Sequence, residues 1–307
     1  MPVLMCPPTH YGVEYEINPW MHVEVGVDRD RAQRQWDGLR AAYRSLGVEV
    51  VTADPVPGLP DMVFTANAGV VRDDRVVLSR FRHRERQAEE GSWRAVFEAW
   101  GMRTFDTAGH AFEGAGDALF VGDTLVCGHG FRTELAAIPL VGRALEVEVI
   151  PVELVDPRFY HLDTCLCPLQ DGTLLLAPGA FSPASRAGLA RLAERVIEVP
   201  GGVAAGFACN AILVGRALVS SQAAAALVTP LAEAGYRVVS LPMSEFIKAG
   251  GGVRCLSLPV EVRPARSAAA TPLSGRLAVP RAAELVAEAR PRPQGRSLLA
   301  TAGAGIT

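Results

Sequence analysis

One unit recurs along this chain and limits what it can fold into. Two short apolar strands are joined by an Asp- or Gly-containing turn, followed by an amphipathic helix and a third strand. The hairpins are read at 61–78, 118–127, 162–177 and 211–220, their helices at 85–100, 132–145, 183–195 and 223–234, and their third strands at 103–105, 148–154, 196–199 and 237–241. A period of about 45–50 residues marks an array whose units bury their apolar faces against one another. A helix at 28–46 and a strand at 48–52 belong to a further unit, which a strand at 253–260 would complete by joining the N-terminal strand at 3–6. The expected fold class is α/β, a closed ring of five hairpin–helix–strand units with a site at its centre, where turns from several units meet.

Composition narrows the role. The chain has 307 residues and a formal charge of -3, so nothing points to nucleic acid or an anionic membrane surface. No apolar run is long enough for a membrane span, and the N-terminus has no basic stretch leading into a signal-peptide core. Six cysteines without paired zinc spacing read as packed thiols in a reducing cytoplasm. Beyond residue 263 Ala, Pro and Arg dominate. The expected division is a ring domain at 1–263 and a tail at 264–307, with one helix at 280–290.

Four motifs place polar groups where a core strand would exclude them. They are Pro60–Gly69 (PDMVFTANAG), Phe112–Asp117 (FEGAGD), Tyr160–Thr164 (YHLDT) and Ala249–Leu258 (AGGGVRCLSL). In the last, three glycines clear side chains from the approach to Cys255, and a strand at 253–260 is expected to hold it. A cysteine so placed is a candidate nucleophile; the alternative is a tight turn before a buried, inert thiol. His161 offers a general acid and base near neutral pH. Glu113 can orient the imidazole or activate water. Asp163, two residues beyond His161, would share its strand face. Together the set suits a planar cationic group held against a thiolate.

These motifs resemble those of the guanidino-group-modifying enzymes: arginine deiminases, dimethylarginine dimethylaminohydrolases and amidinotransferases. That superfamily has the five-bladed α/β propeller called the pentein fold. MCPPTHY at 5–11, INPWM at 17–21, FTANAG at 64–69, LSRF at 78–81 and FYHLDTC at 159–165 are most similar to the catalytic domain of bacterial arginine dihydrolases. In two-part relatives an ornithine cyclodeaminase domain follows, for which 307 residues leave no room. The resemblance implies Cys255 as nucleophile, His161 as acid and base, Glu113 as supporting carboxylate and Asp163 as guanidinium-binding carboxylate. It implies Arg86 and Arg132 as holders of a substrate carboxylate; on sequence alone they are surface arginines at helix starts. Asn18 and Asn67 match substrate-contacting positions, and Asp61 and Phe64 are counted with them. Deiminase-like relatives usually carry aspartate where this chain has Asn67. A neutral amide suits both a guanidinium and a neutral ureido group, which favours a dihydrolase. The implied partner is a small guanidino molecule, arginine or a methylated arginine, with no metal or organic cofactor, and a homo-oligomer is left open. The alternatives are a deiminase or methylarginine hydrolase giving citrulline, an amidinotransferase, and a non-catalytic pentein binding protein.

Overall fold

The computed structural model describes residues 2–260; the tail at 264–307, its helix at 280–290 and the end of the 1–263 domain lie outside the described residues. Strand β1 (Val3–Met5) is followed by helix α1 (Arg29–Ser45) and β2 (Val50–Thr52). Asp28 caps α1 by accepting from the Arg31 amide. The helix buries Ala32, Trp36, Leu39 and Tyr43, the larger of which contribute about 1.5–3 kcal/mol each on burial.

The second unit holds β3 (Gly69–Arg72), β4 (Arg75–Leu78), helices α2 (Arg84–Gln87) and α3 (Glu89–Ala99), and β5 (Arg103–Phe105). The third holds β6 (Ala118–Val121), β7 (Thr124–His129), α4 (Ile138–Leu145) and β8 (Val149–Glu153). The fourth holds β9 (Leu166–Pro168), β10 (Thr173–Leu176), α5 (Pro183–Leu192) and β11 (Arg195–Glu198). After α6 (Gly201–Ala205), the fifth holds β12 (Ile212–Val214), β13 (Ala217–Ser221), α7 (Val228–Glu233) and β14 (Arg237–Leu241). Helix α8 (Ser244–Ile247) then leads to β15 (Leu258–Pro259).

These strands form five separate three-stranded sheets, in each of which an antiparallel pair is extended by a parallel third strand. The first sheet is made from both ends of the described chain: β15 pairs antiparallel with β1, and β1 parallel with β2. The expected closure of the ring is therefore observed, and the architecture is the five-bladed α/β propeller.

Three local expectations need correction. The strand expected at 253–260 shrinks to Leu258–Pro259. Val253–Leu256 is a turn instead, closed by the Leu256 amide donating to the Gly252 carbonyl and the Ser257 hydroxyl to that of Val253. Its apolar residues are buried without joining a ladder, which periodicity cannot distinguish from a strand. The helix expected at 132–145 starts as a 3-10 turn at Leu135–Ala137, because Arg132 and Thr133 are drawn into buried polar contacts. The helix expected at 85–100 divides at Ala88, between Arg86 and the Glu89 that pairs with it.

Candidate active site

The polar motifs occupy the same place in successive units. The first three lie on a 3-10 turn or irregular segment just ahead of a hairpin, not on the strand itself, and Cys255 lies on the turn ahead of β15. Asp61, Phe64 and Asn67 sit on or between the turns Pro60–Val63 and Thr65–Ala68. Glu113 precedes the turn Gly114–Gly116, and His161 precedes Leu162–Thr164, which carries Asp163. His161 and Asp163 thus do not share a strand face, as the two-residue spacing suggested. The 3-10 turn separates their partners: one engages Glu113 and the other Cys255. Close approach needs bare glycines here. A Cβ on Gly251 would lie 2.2 Å from the Phe64 ring, and Gly250 takes a φ of +77°.

Ile17, Asn18, Asp61, Phe64, Asn67, Arg86, Arg132, Tyr160, His161, Ala249, Gly251 and Cys255 line a small cavity. Asp163, Glu113 and Asn210 stand immediately behind this wall. A larger groove lined by Val70, Phe120, Ile212, Arg254 and Leu258 brings together no comparable set of acids, bases and nucleophile.

One wall is a linked chain of charges. Glu113 Oε2 accepts from Arg132 Nη1 at 2.9 Å and lies 2.8 Å from His161 Nε2, while Oε1 accepts from the Arg82 amide. Arg86 Nε and Nη2 donate to both carboxylate oxygens of Glu89 at 2.8 and 2.9 Å. Its Nη1 donates to Asn67 Oδ1 at 3.0 Å, and Asn67 Nδ2 donates to the Glu113 carbonyl at 2.9 Å. Arg132 also donates to the Ile17 carbonyl and lies over the Tyr160 ring at 4.7 Å. Both arginines are buried, at 3% exposure, which overturns their reading as surface residues; no helix starts at Arg132.

The opposite wall carries Cys255. Its Sγ lies 3.5 Å from Asp163 Oδ2 and 3.1 Å from Asn210 Nδ2. Asp163 Oδ1 is buried without a hydrogen-bond partner. Asn18 closes the cavity from the lead-in, donating to the Ala249 carbonyl. Tyr160 Oη donates to the Gly250 carbonyl at 2.7 Å.

Burial and charge set the protonation states. Burial pushes the Asp163 carboxyl up to about 7, against the pull of Arg254. Burial, reinforced by Asp163, pushes the Cys255 thiol well above its ordinary value. For Glu113, burial opposes ionisation, but Arg132 and the His161 hydrogen bond outweigh it and hold the carboxyl well below the usual range. The site therefore holds an ionised Glu113 opposite a protonated thiol. All six cysteines are free and buried. The cluster of metal-ligand type among the described residues, Glu16, His22 and Glu24, is exposed and lies outside the cavity wall.

A family model described as N,N dimethylarginine dimethylhydrolase, eukaryotic, matches residues 16–262. The chain belongs to this family. Among curated relatives, a bifunctional arginine dihydrolase/ornithine cyclodeaminase of Nostoc sp. is 46% identical over 264 residues, covering 84% of this chain and 37% of the relative. The chain thus spans just over a third of that protein's length. The N(G),N(G)-dimethylarginine dimethylaminohydrolase of Mycobacterium tuberculosis is 41% identical over 256 residues, covering 83% of this chain and 84% of the relative. Among solved structures, the N-terminal domain of ArgZ bound to product, an arginine dihydrolase of cyanobacteria, superposes with a TM-score of 0.81 at 45% identity. It covers 83% of this chain and 96% of that one. The family members share the pentein fold, in agreement with the five-unit reading.

Sequence reasoning gave no role to four members of the site: Asn210 and Glu89, outside its motifs, and Asp117 and Tyr160, within them. Asp117 Oδ2 accepts from the Thr133 hydroxyl and Oδ1 from the Leu162 amide, tying the third unit to the turn that carries Asp163. Asn210 was discoverable. It stands just ahead of β12, as Asn67 stands ahead of β3 and Asp117 ahead of β6, so aligning the repeats on one another would have drawn attention to it.

Proposed function

We propose that this protein is a cysteine-dependent hydrolase of the arginine guanidino group. The observation that carries the reading is the arrangement around one small cavity: Cys255 Sγ 3.5 Å from Asp163 Oδ2 on one wall, and His161 bonded to an ionised Glu113 on the other. A guanidinium bound beside Asp163 would pair with that buried acid and, by its charge, favour the Cys255 thiolate, the thiol proton passing to His161. The Cys255 thiolate then attacks the guanidinium carbon, a C–S bond forms, and the C–N bond to ammonia breaks as His161 supplies the departing proton. Water activated by His161 attacks the resulting thiouronium carbon, the C–S bond breaks, and an ureido product leaves. Arg86 and Arg132 line the cavity, where a substrate α-carboxylate would add to their existing carboxylate partners.

For a dihydrolase the ureido carbon is attacked in a second round, giving ornithine, carbon dioxide and a second ammonia. Asn67 supports this reading: a neutral amide, where deiminase-like relatives carry a carboxylate, lines the cavity and carries no desolvation cost against a neutral ureido group. The high identity to the Nostoc dihydrolase points the same way. A second reading, hydrolysis of methylated arginine to citrulline, is favoured by the match to the mycobacterial relative over most of its length.

The test is product analysis with arginine, agmatine and methylarginines side by side, with Cys255→Ser as control. Ornithine from arginine supports the dihydrolase; citrulline as the end product assigns the alternative. Agmatine, lacking the carboxylate, should be the poorest substrate. Turnover by a folded Cys255→Ser variant would remove the covalent mechanism altogether.

A further inference from the structure

The side chain that touches Cys255 most closely is Asn210, fully buried and outside every motif that led to the site. Its orientation is fixed by its surroundings. Oδ1 accepts from the Arg254 amide at 2.9 Å and from the Cys255 amide at 3.2 Å. A flipped amide would set an NH2 group against two N–H donors, so the network assigns the atoms. Nδ2 then faces Cys255 Sγ at 3.1 Å and the Asp163 carbonyl at 3.2 Å, which uses both of its hydrogens.

Two further features are shaped around this residue. Gly252 leaves it room, since a Cβ there would lie 2.8 Å from Asn210 Oδ1. Phe207 is held at φ +64°, a conformation that bulky residues avoid, and its carbonyl accepts the Asn210 amide.

We propose that Asn210 holds the Cys255 thiolate by an Nδ2–H···Sγ hydrogen bond, while its carbonyl oxygen fixes the backbone that presents the sulfur. The inference rests on Cys255 being the nucleophile. Other groups act on the same sulfur. Asp163 faces it from the Leu162–Thr164 turn and opposes ionisation. Arg254 adjoins it in the chain, and Tyr160, His161, Asp61, Arg86 and Arg132 share the cavity. Against this mixed field, Asn210 is the neutral side chain aimed at the sulfur with a proton to give, and its effect on a thiolate is favourable whatever the protonation state of its neighbours.

The test measures the thiol directly. Cys255 of the parent, Asn210→Asp and Asn210→Ala is labelled with iodoacetamide from about pH 6 to about pH 10, and the label is located by peptide mass spectrometry. Loss of the donor should move the labelling midpoint to higher pH by about one unit or more, a roughly tenfold slower reaction at neutral pH. Asn210→Asp should show the larger shift. Its carboxylate can still accept from both backbone amides, but it loses the hydrogen given to the Asp163 carbonyl and repels the thiolate. The same variants should lose kcat with little change in KM. An unchanged labelling midpoint in either folded variant overturns the proposal. Labelling does not require turnover, so this outcome is separable from failure of the nucleophile assignment, which Cys255→Ser reports independently.

Discussion

The two walls of the cavity differ in how completely their charges are paired. On the Glu113 wall Arg86 has Glu89 and Asn67, Arg132 has Glu113 and the Ile17 carbonyl, and His161 has Glu113; only Asp61, 3.7 Å from Arg86, keeps an oxygen there without a hydrogen bond. On the Cys255 wall Asp163 keeps one oxygen without a partner, and burial pushes both its carboxyl and the thiol beside it toward their neutral forms. A buried network with its partners in place is rigid and orients what it holds. A buried acid beside a thiol favours its neutral form, and a cation bound next to it favours the charged one. The first wall is therefore built as a fixed frame for His161, and the second as the place where binding a cation changes protonation most.

The strongest way to break this contrast is Glu113→Gln. It removes the charge that both His161 and Arg132 use. Turnover should fall by about 10²–10⁴-fold, in the range of a lost general acid–base pair. Stability should fall by about 3–5 kcal/mol if Arg132 is left buried without its counter-ion. Ammonia release and urea denaturation measure the two. Undiminished stability would show that Arg132 does not depend on this carboxylate.

Asp163→Asn tests the other wall through pH. The folded-state value of about 7 lies above the unfolded carboxyl value, so the folded protein binds the extra proton. The stability linked to it is full below the unfolded value and is lost as pH rises through about 7. The amide variant cannot ionise. It should melt several degrees above the parent at pH values above about 7, with the gap closing toward about pH 4. Turnover should be lost with it, since the amide cannot pair with a guanidinium. A melting difference independent of pH would mean that Asp163 is already ionised across this range.

Asn67→Asp should have the smallest effect and the most selective one. The carboxylate can still accept from Arg86, but it loses the hydrogen that Asn67 gives to the Glu113 carbonyl and sets two acceptors face to face. If the parent makes ornithine, the variant should accumulate citrulline, because a carboxylate favours the cationic first substrate over the neutral ureido group. An equal citrulline-to-ornithine ratio in both proteins would refute that electrostatic argument.

The fold was largely legible because its unit repeats. Alternating strands, Asp and Gly turns and amphipathic helices are local signals, and four copies reinforce one another. Ring closure by β1 and β15 could also be inferred, since an incomplete fifth unit needs strands from the two ends. Ser182 caps α5 as its sequence indicates. The Val253–Leu256 turn misled, because burial rather than alternation sets its composition. Cys255, His161, Glu113 and Asp163 stood out as polar residues in apolar settings, and the structure brings Cys255 and His161 to the cavity with Asp163 and Glu113 beside them.

The sequence by itself determined the repeat, the chemistry available at its turns, and the family whose motifs those turns carry. Only the tertiary structure decided which turn residues meet. Arg86 and Arg132 look like surface residues in a local window, and their burial is completed by partners distant along the chain: Asn67 and the Asp61 carbonyl, beside the neighbouring Glu89, for one, and Glu113 and the Ile17 carbonyl for the other. Asn210 lies 45 positions from Cys255 in a segment with no chemical signature of its own. Its position against the sulfur is set by the packing of the fifth unit against the first, because contacts between units carry no period that a local reading can detect.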